Sequence, residues 1–116
     1  MQLFCGQKDY AKRSIEYYNK ALDIARQNKF EDKIGAAQLR LAAIYLTIPD
    51  KDKALSYANQ AFSLISTLAN DSLKAEAHNT YGNVYLHRNE KTLALRNYLT
   101  ALRIAEDLKM KSVSMN

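Results

Sequence analysis

The stretch Ala94-Leu95-Arg96-Asn97-Tyr98-Leu99-Thr100-Ala101-Leu102 repeats Ala54-Leu55-Ser56-Tyr57-Ala58-Asn59-Gln60-Ala61-Phe62 after 40 residues. An earlier copy is Ser14-Ile15-Glu16-Tyr17-Tyr18-Asn19-Lys20-Ala21-Leu22, so Ala21, Ala61 and Ala101 fall in phase without gaps. Upstream, Leu41-Ala42-Ala43-Ile44-Tyr45-Leu46 matches Tyr81-Gly82-Asn83-Val84-Tyr85-Leu86 at the same offset. A fixed period of this size means stacked supersecondary units, each too small to bury its apolar face alone. Stacked units make extended surfaces that hold partners, so the period bears on function as well as fold.

Inside each unit the apolar residues step by 3, 4 and 7. Ile34, Ala37, Leu41, Ile44, Tyr45 and Ile48 form one stripe, and Ala54, Ala58, Ala61, Ile65 and Leu68 another. Ala77, Tyr81, Val84 and Tyr85, then Ala94, Tyr98, Ala101, Ala105 and Leu108, continue the pattern. These steps are helical and exclude strands. Asn, Asp, Gly or the single Pro49 punctuate the chain at Gln7–Asp9, Asn28–Phe30, Thr47–Lys51, Asn70–Ser72 and Arg88–Glu90. Such residues cap helices and make turns. The expected elements are a stub near residues 1–6 and helices near 10–27, 31–47, 51–68, 72–87 and 91–109. Short connections make neighbouring helices antiparallel, hence hairpins. Gly82 and Ala94, like Ala42 and Ala54, are expected to face each other at close helix crossings.

Composition agrees with this reading and narrows the function. Apolar residues make up 47% of 116 residues, with three Gly and one Pro, which favours helix throughout. The net charge of +5 comes from 17 basic and 12 acidic residues and gathers in no block, so nucleic acid is not the expected partner. A single cysteine, Cys5, excludes an internal disulfide framework and a Cys-based zinc site, and reads as a buried small side chain. No apolar run approaches the 18 residues or so of a membrane span, and Met1 to Asp9 lacks the layout of a signal peptide. A cytoplasmic location is expected, with a periplasmic sensor segment as the alternative.

Together these residues resemble a known family. His78-x-x-Tyr81-Gly82-x-x-Tyr85, followed by Ala94-x-x-x-Tyr98 and Ala101, is similar to the tetratricopeptide repeat, and Leu41-Ala42-x-x-Tyr45 with Ala54 and Ala61 repeats the match. Gln38 and His78 stand where that family places Trp, the proline that often closes a unit is missing, and 40 residues replace about 34. Longer-period arrays of this kind look like those of kinesin light chains, Pins-type adaptors, Rap-type regulators and other bacterial sensors. The resemblance implies an all-α fold, a right-handed α-solenoid of antiparallel helical hairpins. It divides residues 1–116 into a partial unit over 1–30, full units over about 31–70 and 71–110, and the start of another at 111–116, as in a piece of a longer array.

The resemblance also implies a concave groove lined by the first helix of each hairpin. The groove candidates are Leu39, Arg40, Ala43 and Thr47 in one unit and Glu76, Asn79, Thr80, Asn83 and His87 in the next. Asn79 and Asn83 are four apart and share a helix face, and an amide can pair with a peptide backbone as donor and acceptor. Leu39 and Asn79 stand where chaperone-tail binders carry lysines, so that ligand is not expected. Arg40, His87 and Arg88 favour an acidic partner. Catalysis is not expected, since no nucleophile–base set, phosphate loop or metal-ligand spacing occurs, and no cofactor or metal is implied. His78 and His87 sit nine apart on one helix and point in different directions, and His78 reads as packing.

The expected function is therefore a non-catalytic interaction module that takes a peptide or helix of a partner. The alternative is the regulatory input segment of a larger bacterial signalling or transcription-regulating protein. A second apolar stripe, Leu95, Leu99 and Leu102, exceeds what the last helix needs to meet its own hairpin. It points to an end-to-end homo-oligomer through residues 91–116.

Overall fold

The computed structural model describes residues 2–48 and 50–114, with side-chain surroundings for 9–48 and 50–111. The side chains of Cys5 and Gly6, and Pro49, lie outside that set. Five helices follow one another: α1 (Gln2–Gln27), α2 (Glu31–Thr47), α3 (Lys51–Ile65), α4 (Asp71–His87) and α5 (Lys91–Ser114). The fold is all-α, built from antiparallel hairpins. Among the described residues, α2 packs on α1, α3 and α4, while α4 packs on α2, α3 and α5. Among the described residues, helices α1, α3 and α5 do not pack on one another. Hence α2 and α4 form an inner layer and α1, α3 and α5 an outer one. The radius of gyration is 15.4 Å, against roughly 13.4 Å for a compact domain of this length. That excess is the mark of a ribbon-shaped core.

Local chemistry sets the helix ends. Asp50 Oδ1 accepts from the Lys53 amide at 3.1 Å, and Asn70 Oδ1 from the Leu73 amide at 3.0 Å, capping α3 and α4. The turns within the two hairpins are alike: the Asp50 amide donates to Tyr45 O and the Glu90 amide to Tyr85 O, both at 2.8 Å. Lys29 and Asn89 take φ of 58° and 61°, the left-handed conformation that closes a helix while its last carbonyls stay bonded.

Three boundaries differ from the sequence expectation. Helix α1 runs unbroken through Gln7–Asp9, so the stub and the turn are replaced by one helix. Gly6 is the only weak helix former there, and an isolated glycine costs about 1 kcal/mol, too little to end a hydrogen-bonded ladder. Helix α3 stops at Ile65 instead of near residue 68. The Ser66 and Thr67 hydroxyls donate to Ser63 O at 3.2 Å and Leu64 O at 2.7 Å, and so compete with continuation of the helix. Helix α5 continues past residue 109 to Ser114, because nothing in Lys109-Met110-Lys111 breaks it.

The core lies along the seam between the layers. Leu22 from α1, Leu41, Ala42, Tyr45 and Leu46 from α2, Ala54 and Ala58 from α3, and Val84 from α4 form one buried cluster. Leu39, Ala61, Ile65 and Ala77 form a second, flanked by Phe62 and Leu73. The glycines mark close approaches. A Cβ on Gly35 would meet the Ile65 side chain at 2.7 Å, and one on Gly82 would meet the Tyr98 ring at 2.5 Å. Gly82 is therefore small to admit Tyr98, and Gly82 and Ala94, the pair expected at the crossing, are both buried.

Candidate functional site

The face of α2 and α4 turned away from the outer layer is the candidate site. It is built from positions one or two helical turns apart, namely Arg40, Ala43 and Thr47 on α2, and Glu76, Asn83 and His87 on α4. Arg40 and Glu76 form an ion pair across the two helices. Their side chains are 49% and 31% exposed, so the pair lies in solvent and ties the helices only weakly. Ala43 and Thr47 are exposed, and the Thr47 hydroxyl donates to Ile44 O at 2.7 Å. His87 is exposed, with its Nδ1 against Asn83 O at 2.9 Å.

Not all of the candidates share that face. Leu39 is 1% exposed and packs with Ala61, Ile65 and Ala77, because α4 lies over it. It is core, not groove. Thr80 is buried and its hydroxyl donates to Glu76 O at 2.9 Å, which spends it within its own helix. Asn83 is half-buried, and its Oδ1 accepts from the Tyr98 hydroxyl, so one half of its amide is already engaged. Asn79 is exposed but stands 40 residues after Leu39, in the register that a following helix covers. The two asparagines thus differ in role, and a ladder of two free amides is not present.

A second polar layer lies between the helices, and sequence reasoning missed it. The Tyr81 hydroxyl donates to Asn59 Oδ1 at 2.6 Å, while its ring meets Phe62 edge-on and stacks on Tyr85. Burial, and then the neighbouring Tyr85, push the Tyr81 hydroxyl up to about 12. His78 Nδ1 donates to Asn97 Oδ1 at 3.0 Å, an orientation set by the Asn97 amide nitrogen donating to Leu93 O at 2.9 Å. His78 also meets the Phe62 ring, consistent with packing rather than chemistry. Arg88, at the end of α4, reaches Asp52 at 3.4 Å across the two units. Among the described residues no helix is long and apolar enough to cross a membrane.

Residues 3–28 match the family model described as the tetratricopeptide repeat. The match covers most of α1. Comparison with curated proteins returns no match. Tetratricopeptide repeats generally mediate protein–protein interaction and are non-catalytic modules.

Proposed function

We propose that this chain is a protein–protein interaction module that receives a peptide or helix of a partner on the face shared by α2 and α4. The observation that carries this reading is the two-layer packing. One side of α2 and α4 is covered by α1, α3 and α5, and the other side leaves Arg40, Ala43, Thr47 and His87 exposed. The units over about 31–70 and 71–110 are the building blocks of that face. Arg40 and His87 favour an acidic ligand, which would displace Glu76 from Arg40 as it binds. Asn79 contributes at the edge of the face, not at its centre. The similarity to tetratricopeptide repeats over residues 3–28 supports an interaction role.

The test is a peptide-library selection on the immobilised chain, followed by binding to the Ala43→Glu variant. Ala43 is exposed, so the substitution fills the face without entering the core. Selected peptides are expected to be acid-enriched and to lose binding to Ala43→Glu, whose carboxylate both fills the face and repels them. Peptides that bind both proteins equally would overturn the assignment of the site.

A further inference from the structure

On the α2/α4 face the protein holds a carboxylate of its own against the guanidinium that an acidic partner would use. Arg40 Nη1 donates to Glu76 Oε1, and among the described residues Arg40 has no other hydrogen-bond or ion-pair partner. The contact uses one guanidinium nitrogen and one carboxylate oxygen, so the rest of the planar fork is unengaged. The two charges cancel, and the face presents no net charge at the point where it would take an acidic group.

The pair is not part of the framework. Both side chains reach solvent, while the seam between the hairpins is held by buried Leu39, Ala61, Ile65 and Ala77 and by the Tyr81 hydroxyl on Asn59. Nor does the repeat carry it. The residue 40 before Glu76 is Ala36, and the residue 40 after Arg40 is Thr80, whose hydroxyl is bonded to Glu76 O within α4. The 40-residue template therefore neither repeats this contact nor depends on it.

We infer that Glu76 is a built-in competitor, which occupies Arg40 until a partner's carboxylate displaces it and so sets the affinity of the face for acidic segments. The inference rests on the reading of the α2/α4 face as a site for an acidic ligand. A solvent-exposed pair is weak enough to be displaced, yet breaking it lowers the affinity of whatever replaces it by a factor of about 2–5. A partner carboxylate that spans two guanidinium nitrogens outcompetes Glu76, which holds only one. A neutral amide makes the weaker bond to arginine and leaves the internal pair in place.

The probe is hexaglutamate, with hexaglutamine as the uncharged control, titrated into the intact chain at physiological ionic strength, where exposed charges more than about 8 Å apart are largely screened. Affinity is read by nuclear magnetic resonance from the Arg40 side-chain N–H and the Ala43 amide, which report on this face. Glu76→Gln is expected to bind hexaglutamate about threefold more tightly than the native chain, with an unchanged melt by circular dichroism and no gain for hexaglutamine. Arg40→Gln is expected to weaken hexaglutamate binding, read at Ala43, and adding Glu76→Gln to it should change nothing further. Equal affinities in the native chain and Glu76→Gln would overturn the inference while leaving the face a site for acidic ligands. The same gain in the Arg40→Gln background would do so too, since Glu76 would then act by general repulsion and not by occupying Arg40. No shift at either resonance in any of the proteins would overturn the reading of the face, and the inference with it.

Discussion

The hairpins α2–α3 and α4–α5 are written on the same 40-residue template but filled differently. In the first, Ala42 and Ala58 are both fully buried, two small residues at matched positions. In the second, the same positions hold Gly82 and Tyr98, and the ring occupies the space that a Cβ on Gly82 would need. One hairpin shares the volume evenly; the other gives all of it to one partner. The first also buries Gln38, whose Oε1 has no hydrogen-bond partner, where the second places His78 against Asn97. The position matching Asn97 is Tyr57, which stacks on Tyr45 and leaves Gln38 without an amide neighbour. The repeat therefore keeps the helix register, while the side chains that fill the crossing and their polar pairing differ from unit to unit.

The strongest way to break this comparison is to remove Tyr98. Tyr98→Ala leaves Gly82 facing a void and Asn83 without its donor, and should cost about 2–4 kcal/mol in chemical denaturation. Gly82→Ala alone forces the ring away while gaining helix propensity, for a net loss of about 1 kcal/mol. The double variant rebuilds the Ala42–Ala58 arrangement and should cost clearly less than the sum of the two. Strict additivity in the cycle would show that the positions do not share one volume. Gly82→Leu overpacks the same crossing and should lower stability by about 1–3 kcal/mol, read as a fall in Tm.

The seam between the hairpins gives the next effect. Tyr81→Phe removes the hydroxyl bonded to Asn59 and should cost about 1 kcal/mol. Because the folded hydroxyl is raised to about 12 from an ordinary value of 10.0, its ionisation is disfavoured in the folded state. Its contribution is therefore complete below pH 10 and is lost as pH climbs towards 12. The native chain should melt progressively lower across that window, and Tyr81→Phe should flatten part of the slope. An identical slope in the variant would place the effect on other tyrosines.

Gln38→Met sharpens the comparison in the opposite direction. Removing a buried acceptor that lacks a partner should raise stability by about 1 kcal/mol, and a loss of that size would reveal a hydrogen bond to Gln38 in solution. The smallest effect belongs to Glu76→Gln. It breaks a solvent-exposed ion pair and should change stability by no more than about 0.5 kcal/mol, with the difference vanishing in high salt.

The fold was readable because its signals are periodic. Steps of 3, 4 and 7 declare helices, the 40-residue offset declares repeated hairpins, and Asp50 and Asn70 announce the starts of α3 and α4. Even the exposed stripe of Leu95, Leu99 and Leu102 follows from counting faces on one helix. The candidate site was only partly readable, since exposure depends on what a neighbouring helix covers. Leu39 and Asn79 share one register, yet α4 buries the first and the second is exposed. Leu46 is buried in the cluster that holds Val84 of α4, whereas Leu86, 40 residues on, is exposed.

The sequence by itself determined most of the helices and their pairing into hairpins. Those properties reside in local spacing, which a single chain carries in full. Only the tertiary structure decided that α1 is continuous, that Tyr98 fills the place left by Gly82, that Asn83 is already engaged, and that Tyr81 needs Asn59. Each of these depends on which side chain from another helix arrives within contact distance. That meeting is fixed by three-dimensional packing, where volumes and hydrogen bonds are settled jointly and no periodicity along the chain records the outcome.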